Sequence, residues 1–274
     1  MKGLLFYDEI GAERNKWFIA RLIESAEALG CELSLVVTSS VTEAVIECES
    51  HPDFAIIRTI SPSISEEVER LTKIFNNSTT SKIANDKWQT YLLARELDIP
   101  MMHTVSLKDG LDKSESPTYP RVIKTVDGHG GSEVFMVHNT DECKAILSLY
   151  PDKHFISQEL SSEPGVDMRV YVMGDSVVAA TKRTSKADFR SNFSLGGNAE
   201  LDTPTAEMLC VIERLRNALH FDFVGIDFIR HNGGWVLNEI EDVVGTRMLY
   251  SLTDIDAAKT YIEYIVNKLT EAQN

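Results

Sequence analysis

Three acidic side chains, Asp227, Glu239 and Glu241, fall within one short stretch, residues 225–241, that reads Gly-Ile-Asp-Phe-Ile-Arg-His-Asn-Gly-Gly-Trp-Val-Leu-Asn-Glu-Ile-Glu. The Asn232-Gly233 dipeptide supplies the positive φ angles of a two-residue turn, so the apolar runs on either side fold back as a hairpin. That pairing sets Asp227 opposite the step from Asn238 to Glu239, and period-two alternation keeps Glu239 and Glu241 on one face. Carboxylates gathered this closely repel one another unless a cation sits among them. Hard oxygen donors favour Mg²⁺ or Mn²⁺ over Zn²⁺. A solvated edge hairpin with scattered acids fits the same residues, because one residue of register decides which face they share.

Residues 119–137, Tyr-Pro-Arg-Val-Ile-Lys-Thr-Val-Asp-Gly-His-Gly-Gly-Ser-Glu-Val-Phe-Met-Val, offer a second kind of chemistry. They read as two short strands around a glycine-rich loop, with Lys124 near the end of the first. Gly128, Gly130 and Gly131 let consecutive backbone N–H groups approach an anion, and a lysine supplies a point charge to a phosphate oxygen. The loop is neither a Walker A sequence nor a GxGxxG that opens a helix. A tight turn that simply needs flexible residues also accounts for it.

The elements that must position these groups follow from periodicity and punctuation. Gly3–Tyr7, Glu32–Val37 and Phe54–Arg58 read as strands, with a helix over Glu13–Leu29 closed by Gly30. This alternation is a small α/β unit. A helix capped by Asn85 carries Lys87, Trp88, Tyr91, Leu92 and Leu97 at helical spacing and stops before Pro100. A flexible loop is expected at Lys108–Pro117. A capping box at Asn139 and Glu142 begins the next helix, strands dominate from Phe155 to Ala180, and Thr203-Pro204 starts another helix. An amphipathic helix over Ile255–Leu269 closes the chain.

Composition sets the outer limits. At roughly 100–200 residues per domain, a chain of 274 residues holds two or three units. A net charge of −15 and a pI near 4.9 oppose nonspecific attraction to nucleic acid. No run reaches the ~18 apolar residues of a membrane span, and the apolar start meets Asp8 and Glu9 too early for a secretory signal. A cytoplasmic protein is expected. Cys31, Cys48, Cys143 and Cys210 form no CxxC pair and are read as packing thiols, and the histidines show no HxxxH spacing.

A third segment lies between the two motifs: Ser-Gln-Glu-Leu-Ser-Ser-Glu-Pro-Gly-Val-Asp-Met-Arg-Val-Tyr-Val over 157–172, then Thr-Lys-Arg at 181–183 and Asp-Phe-Arg-Ser-Asn at 188–192. Taken in order with Asn-Asp-Lys at 85–87, the loop at 122–131 and Asn-Glu-Ile-Glu at 238–241, it resembles the ATP-grasp superfamily. Within that superfamily it resembles the RimK-type ligases, which join amino acids or peptides through an amide bond. The resemblance runs from Asn85 through Glu241.

It implies an α/β and α+β chain: an ATP-grasp fold behind an amino-terminal, Rossmann-like pre-ATP-grasp domain. The expected division is residues 1–81, a central lobe at 82–156 and a carboxy-terminal lobe at 157–274. ATP and Mg²⁺ or Mn²⁺, as two ions, are the implied cofactors, with small-molecule, amino-acid or peptide substrates as partners. Neither nucleic acid nor a membrane is an expected partner, and homo-oligomer formation is left open.

The resemblance assigns Lys87 and Lys124 to the nucleotide phosphates and Gly128, Gly130, Gly131 and Ser132 to the loop that closes over them. It gives Gln158, Glu159, Leu160 and Ser161 to the strand that reads adenine with its backbone. Asp167 matches the ribose-binding acid, with Glu163 as its rival because the preceding segment is one residue shorter than in the ribosomal-protein glutamate ligase. Arg190 and Asn192 match polar groups facing the triphosphate, and Asp227, Glu239 and Glu241 match the metal ligands. Lys182, Arg183, Lys186 and Arg190 also fit a plain surface patch.

The implied reaction transfers the γ-phosphoryl of ATP to a carboxylate and then lets an amine displace phosphate, releasing ADP and phosphate. Arg190 would face the transferred phosphoryl group. Arg247, ahead of Arg169, is the candidate cation for the tetrahedral oxyanion. Arg58 is a candidate clamp for a substrate carboxylate, and Gly196 and Gly197 are candidate substrate-contacting glycines. One departure bears on substrate identity. Relatives usually carry asparagine at the third metal position followed by Ser/Ala-Ser-Pro-Gly, whereas this chain has Glu-Asp-Val-Val-Gly-Thr-Arg over 241–247. Two rival functions are a nucleotide-binding regulatory or scaffold protein, and a small-molecule kinase that stops at phosphoryl transfer.

Overall fold

A computed structural model describes residues 1–108, 118–131, 133–185 and 198–272. Ser132, Arg190, Asn192, Gly196 and Gly197 lie outside the described residues, as does the expected loop beyond Lys108. Among the described residues the chain forms three sheets.

The first sheet is parallel, in the order β2-β1-β3-β4, from β1 (Lys2–Tyr7), β2 (Glu32–Val37), β3 (Phe54–Ile57) and β4 (Lys73–Phe75). Where one helix was expected over 13–29 there are two, α1 (Glu9–Arg14) and α2 (Lys16–Ala28). Asn15, at φ −113° and ψ 17°, breaks the run. Gly30 closes α2 as its sequence suggested: it is left-handed at φ 71°, its N–H reaches Glu27 O at 3.0 Å, and Cys31 N–H reaches Ala26 O at 2.9 Å. The helices α3 (Val41–Cys48) and α4 (Pro62–Glu69) complete this unit, each begun by a serine cap, Ser40 and Ser61.

Two helices then lead on, α5 (Ser78–Ala84) and α6 (Lys87–Glu96). Asp86, not Asn85, caps α6, its Oδ1 accepting from Trp88 N at 2.9 Å and Gln89 N at 3.0 Å. Asn85 is instead the last residue of the preceding turn, bonded to Ser81 O at 2.9 Å.

The middle sheet runs β5-β8-β6-β7, from β5 (Thr104–Ser106), β6 (Arg121–Thr125), β7 (Val134–Val137) and β8 (Phe155–Glu159), with α7 (Thr140–Leu149) against it. The boundary expected between residues 156 and 157 falls inside β8, which pairs with β5 and β6. Ala94 of α6 packs with Met168, Val170 and Leu237 of the next sheet.

The third sheet is antiparallel, in the order β11-β10-β9-β12-β13, from β9 (Val166–Met173), β10 (Ser176–Thr184), β11 (Asn198–Asp202), β12 (Phe223–His231) and β13 (Gly234–Glu241). Helix α8 (Ala206–Leu219) covers one face. Thr205 caps it, two residues later than the expected Thr203-Pro204 start. After β13 come α9 (Arg247–Leu252) and α10 (Ala257–Glu271), the latter capped by Asp256. No helix among the described residues is long and apolar enough to cross a membrane.

Candidate functional site

The acidic hairpin forms as its sequence dictates. Asn232 and Gly233 both have positive φ, 50° and 73°, and β12 and β13 pair in the register Gly225↔Glu241, Asp227↔Glu239. The step expected opposite Asp227 is real: Phe228 pairs with Leu237, so Asn238 is an extra residue in β13. Asp227, Glu239 and Glu241 converge, with one oxygen of each within 4.8 Å of the others. Three hard oxygen donors at that spacing fit a divalent cation such as Mg²⁺ or Mn²⁺.

Two arginines share the acids. Arg169, on β9, grips Asp227 with Nε and Nη2, both at 2.7 Å, and reaches Glu241 Oε1 at 2.5 Å. Arg183, on β10, donates to both oxygens of Asp167 and to Asp227 Oδ2 at 2.8 Å. Antiparallel register makes this possible, since Asp227 and Arg169 pair across β12 and β9, and Arg183 and Asp167 across β10 and β9. Arg183 is therefore buried inside the site, not on a surface patch.

These charges decide the proton affinities. Burial pushes the Asp227 carboxyl up, but the guanidiniums of Arg169 and Arg183 override it and hold the group well below the usual carboxylate range. Glu241 goes the other way. Burial, reinforced by Asp227 and Glu239 and opposed by Arg169, raises it to about 7.

The glycine loop joins β6 to β7 at the rim of the same cleft. At Gly128 a Cβ would lie 2.4 Å from Thr125 Oγ1, so no side chain fits. Gly130 and Gly131 hold φ of 67° and 80°, a region that favours glycine. Lys87 ties the loop to the acidic hairpin: its Nζ donates to Gly128 O and stands 3.8 Å from Glu239 Oε2, and its backbone N–H bonds Val126 O at 3.0 Å. Lys124 Nζ, buried on β6, reaches Asn238 Oδ1 at 3.3 Å. Burial lowers its pKa from 10.5 to about 8, Glu239 opposing and Lys87 reinforcing the shift.

The cleft is lined by Lys87, Lys124, Gly128, Gly130, Gly131, Gln158, Glu159, Leu160, Ser161, Glu163, Asp167, Asn238 and Glu239. The glycine turn and the acidic ribbon thus face one space. The Gln158 side chain turns inward to Thr104 Oγ1 at 3.1 Å, Glu159 N–H bonds His103 O at 3.2 Å, and Ser161 Oγ donates to Arg230 O. Glu163 accepts from Gly233 N–H at 3.1 Å and stands 3.5 Å from Arg230. Both Asp167 oxygens are engaged by Arg183.

Arg58, the candidate substrate clamp, and Arg247, the candidate oxyanion cation, are not among the residues that line this cleft. Arg58 is buried at the joint between the first unit and the segment after β13, donating to Val244 O at 2.8 Å and stacking over Phe18 at 5.4 Å. Arg247 is exposed at the start of α9. Arg183 and Asn238 escaped the sequence reading. Register alone marks the first, and the residue left over opposite Asp227 marks the second.

Residues 84–265 match the model of the RimK-like ATP-grasp domain. A probable alpha-L-glutamate ligase of Pasteurella multocida is 28% identical over 206 residues, 73% of this chain and 66% of that protein, so the match spans just under two thirds of that relative's length. Another protein of that description, from Chromohalobacter salexigens, is 26% identical over 93% of both chains. Among solved structures, the D-alanine–D-alanine ligase of Bacillus anthracis complexed with ATP superposes with a TM-score of 0.75 at 14% identity, covering 100% of this chain and 98% of that one. A RimK domain ATP-grasp protein of Sphaerobacter thermophilus superposes at 0.68 and 17%, covering 97% and 100%. At such identities the structural likeness establishes the fold. With a cleft lined by Glu239 of the acidic cluster and by the glycine loop, and with a family match across about two thirds of its length, the chain belongs to the RimK-like ATP-grasp family.

Proposed function

We propose that this protein is an ATP- and divalent-metal-dependent carboxylate–amine ligase that adds glutamate or another amino acid to a small molecule, peptide or protein terminus. The observation that carries the reading is the shared cleft, in which Lys87 links the glycine loop to Glu239. The names of its sequence relatives support the amino-acid class. In this reading Lys87, Lys124 and the loop of Gly128, Gly130, Gly131 and Ser132 hold the phosphates, and the segment from Gln158 to Ser161 holds adenine. Asp167 takes the ribose hydroxyls, with Glu163 on the same cleft as its rival. Asp227, Glu239 and Glu241 hold Mg²⁺ or Mn²⁺, which neutralises the triphosphate. Arg190, Asn192, Gly196 and Gly197 keep the roles that resemblance gives them.

The reaction has two steps. A carboxylate oxygen of the first substrate takes the γ-phosphoryl, the bond from γ-phosphorus to the bridging oxygen breaks, and ADP leaves. The amine of the second substrate then attacks the acyl carbon and loses a proton, while phosphate departs with the electrons of the broken C–O bond. Arg169 is committed to Asp227 and Glu241, so it orients the acids, and the exposed Arg247 is the better candidate to meet the oxyanion. Arg58 acts as an interlobe tie in this reading, its guanidinium being taken by Val244 O. A cell extract supplied with enzyme and ATP should yield a product heavier by one amino-acid residue, with ADP and phosphate formed in equal amounts. Release of AMP and pyrophosphate would sink the acyl-phosphate route.

A further inference from the structure

Asn238 is out of step with its strand. In a regular strand Asn238 and Glu239 would face opposite sides of the sheet. The bulge opposite Asp227 and Phe228 lets both line the cleft. Glu239 is thereby left to the cation cluster, and Asn238 turns its Oδ1 to Lys124 Nζ at 3.3 Å.

The contact crosses between sheets, from β13 of the large sheet to β6 of the middle one. Lys124 is only 5% exposed, so water does little to orient its ammonium. A buried ammonium needs an acceptor from the protein. A carboxylate there would form the stronger bond but would cancel the charge that an anion requires. An amide oxygen holds the ammonium in place and leaves its charge to act on a ligand.

We infer that Asn238 is a positioning residue: it acts through Lys124, aiming the ammonium at the nucleotide phosphates. The inference rests on the nucleotide-binding reading above. It assigns a task to the residue before the metal-binding glutamate, and it makes the bulge the device by which one strand serves both the cation and the lysine.

The test is a double-mutant cycle read by calorimetric titration with ADP and MgCl₂, and separately with adenosine. Asn238→Leu keeps the branched side-chain shape and removes the acceptor. It should weaken ADP binding by roughly tenfold or more, the loss expected for a hydrogen bond to a charged group, and leave adenosine binding unchanged. In a Lys124→Met background the same substitution should cost nothing further, because its effect passes through the lysine. ADP affinity within twofold of the unaltered protein would overturn the assignment. So would an equal loss in the Lys124→Met background, or a parallel loss for adenosine. If the unaltered protein itself fails to bind ADP, the nucleotide-binding reading falls first.

Discussion

Glu239 is the side chain on which both halves of the site depend, since it joins Asp227 and Glu241 in the acidic cluster and stands beside Lys87 under the glycine loop. Glu239→Gln keeps the shape and removes the charge. Nucleotide turnover should fall by ~100-fold or more while urea unfolding stays cooperative; normal turnover would refute the metal assignment. Lys124 supports a second prediction. Its pKa is about 8 in the folded protein, against 10.5 ordinarily, so between those values the unfolded chain binds more protons than the folded one. Its contribution to stability therefore improves as pH rises through that window, and its burial penalty is full below pH 8. A bound polyphosphate reverses the balance by favouring the ammonium. At pH 9, calorimetry in buffers of different ionisation enthalpy should show proton uptake on ADP binding, and Lys124→Met should abolish that uptake. Equal uptake in the variant would place the titrating group elsewhere. Asp227, Glu239, Glu241 and Lys124 were all legible in the sequence, because hairpin alternation and a lysine beside glycines are local signals. Arg183 was not, since what takes it off the surface is its register against Asp167, a pairing between strands that no local pattern encodes.

Elements meet at Asn76, just beyond β4. Its amide uses every polar direction it has: Oδ1 accepts from Asp222 N at 2.6 Å and Phe223 N at 2.8 Å, and Nδ2 donates to Phe223 O at 2.8 Å and Asp242 O at 3.0 Å. One side chain thus ties the first sheet to β12 and to the segment leaving the acidic cluster. Asn76→Ala would strand buried backbone groups, with an expected cost of ~2–4 kcal/mol read from the urea midpoint. A loss below ~1 kcal/mol would mean that water or relaxation replaces those bonds. Strands β1, β2 and β3 of the first sheet and the acidic hairpin are legible in the sequence, because their alternation and turn residues are strong, whereas β4, three residues long, is not. Caps shift by one or two residues from the expected positions where neighbours compete, as with Asn85 beside Asp86 and Thr203 before Thr205. Helices α3 and α4 carried serine caps but too few turns to stand out. Strands β8 and β9 both read as strand, and only their pairing partners assign them to different sheets.

At the scale of the molecule, the core does not respect the order of the chain. Leu22, Phe54 and Phe75 of the first unit share one apolar cluster with Tyr171, Phe223, Leu249, Tyr261 and Ile265, and α10 closes that cluster against α2. Asp222, buried before β12, accepts from Tyr264 OH at 2.8 Å and from Lys268 Nζ at 2.5 Å, which ties α10 to the start of β12. The middle sheet keeps a smaller core of its own, formed by Leu107, Ile123, Val137, Cys143 and Phe155. The chain therefore folds as a base, made of the first and third sheets with α10, and a smaller body that carries the glycine loop. A fragment of residues 1–81 would expose the apolar face that α10 and β12 cover, and a unit of that size has little surplus burial to lose. It should show no cooperative thermal transition. In the whole chain, hydrogen exchange in β1 and β3 should open together with α10, whereas β6 and β7 exchange through a separate, less costly opening that ADP and Mg²⁺ suppress. A 1–81 fragment that melts sharply, or β1 amides that exchange independently of α10, would show that the first unit stands alone and that the shared core does not couple the lobes.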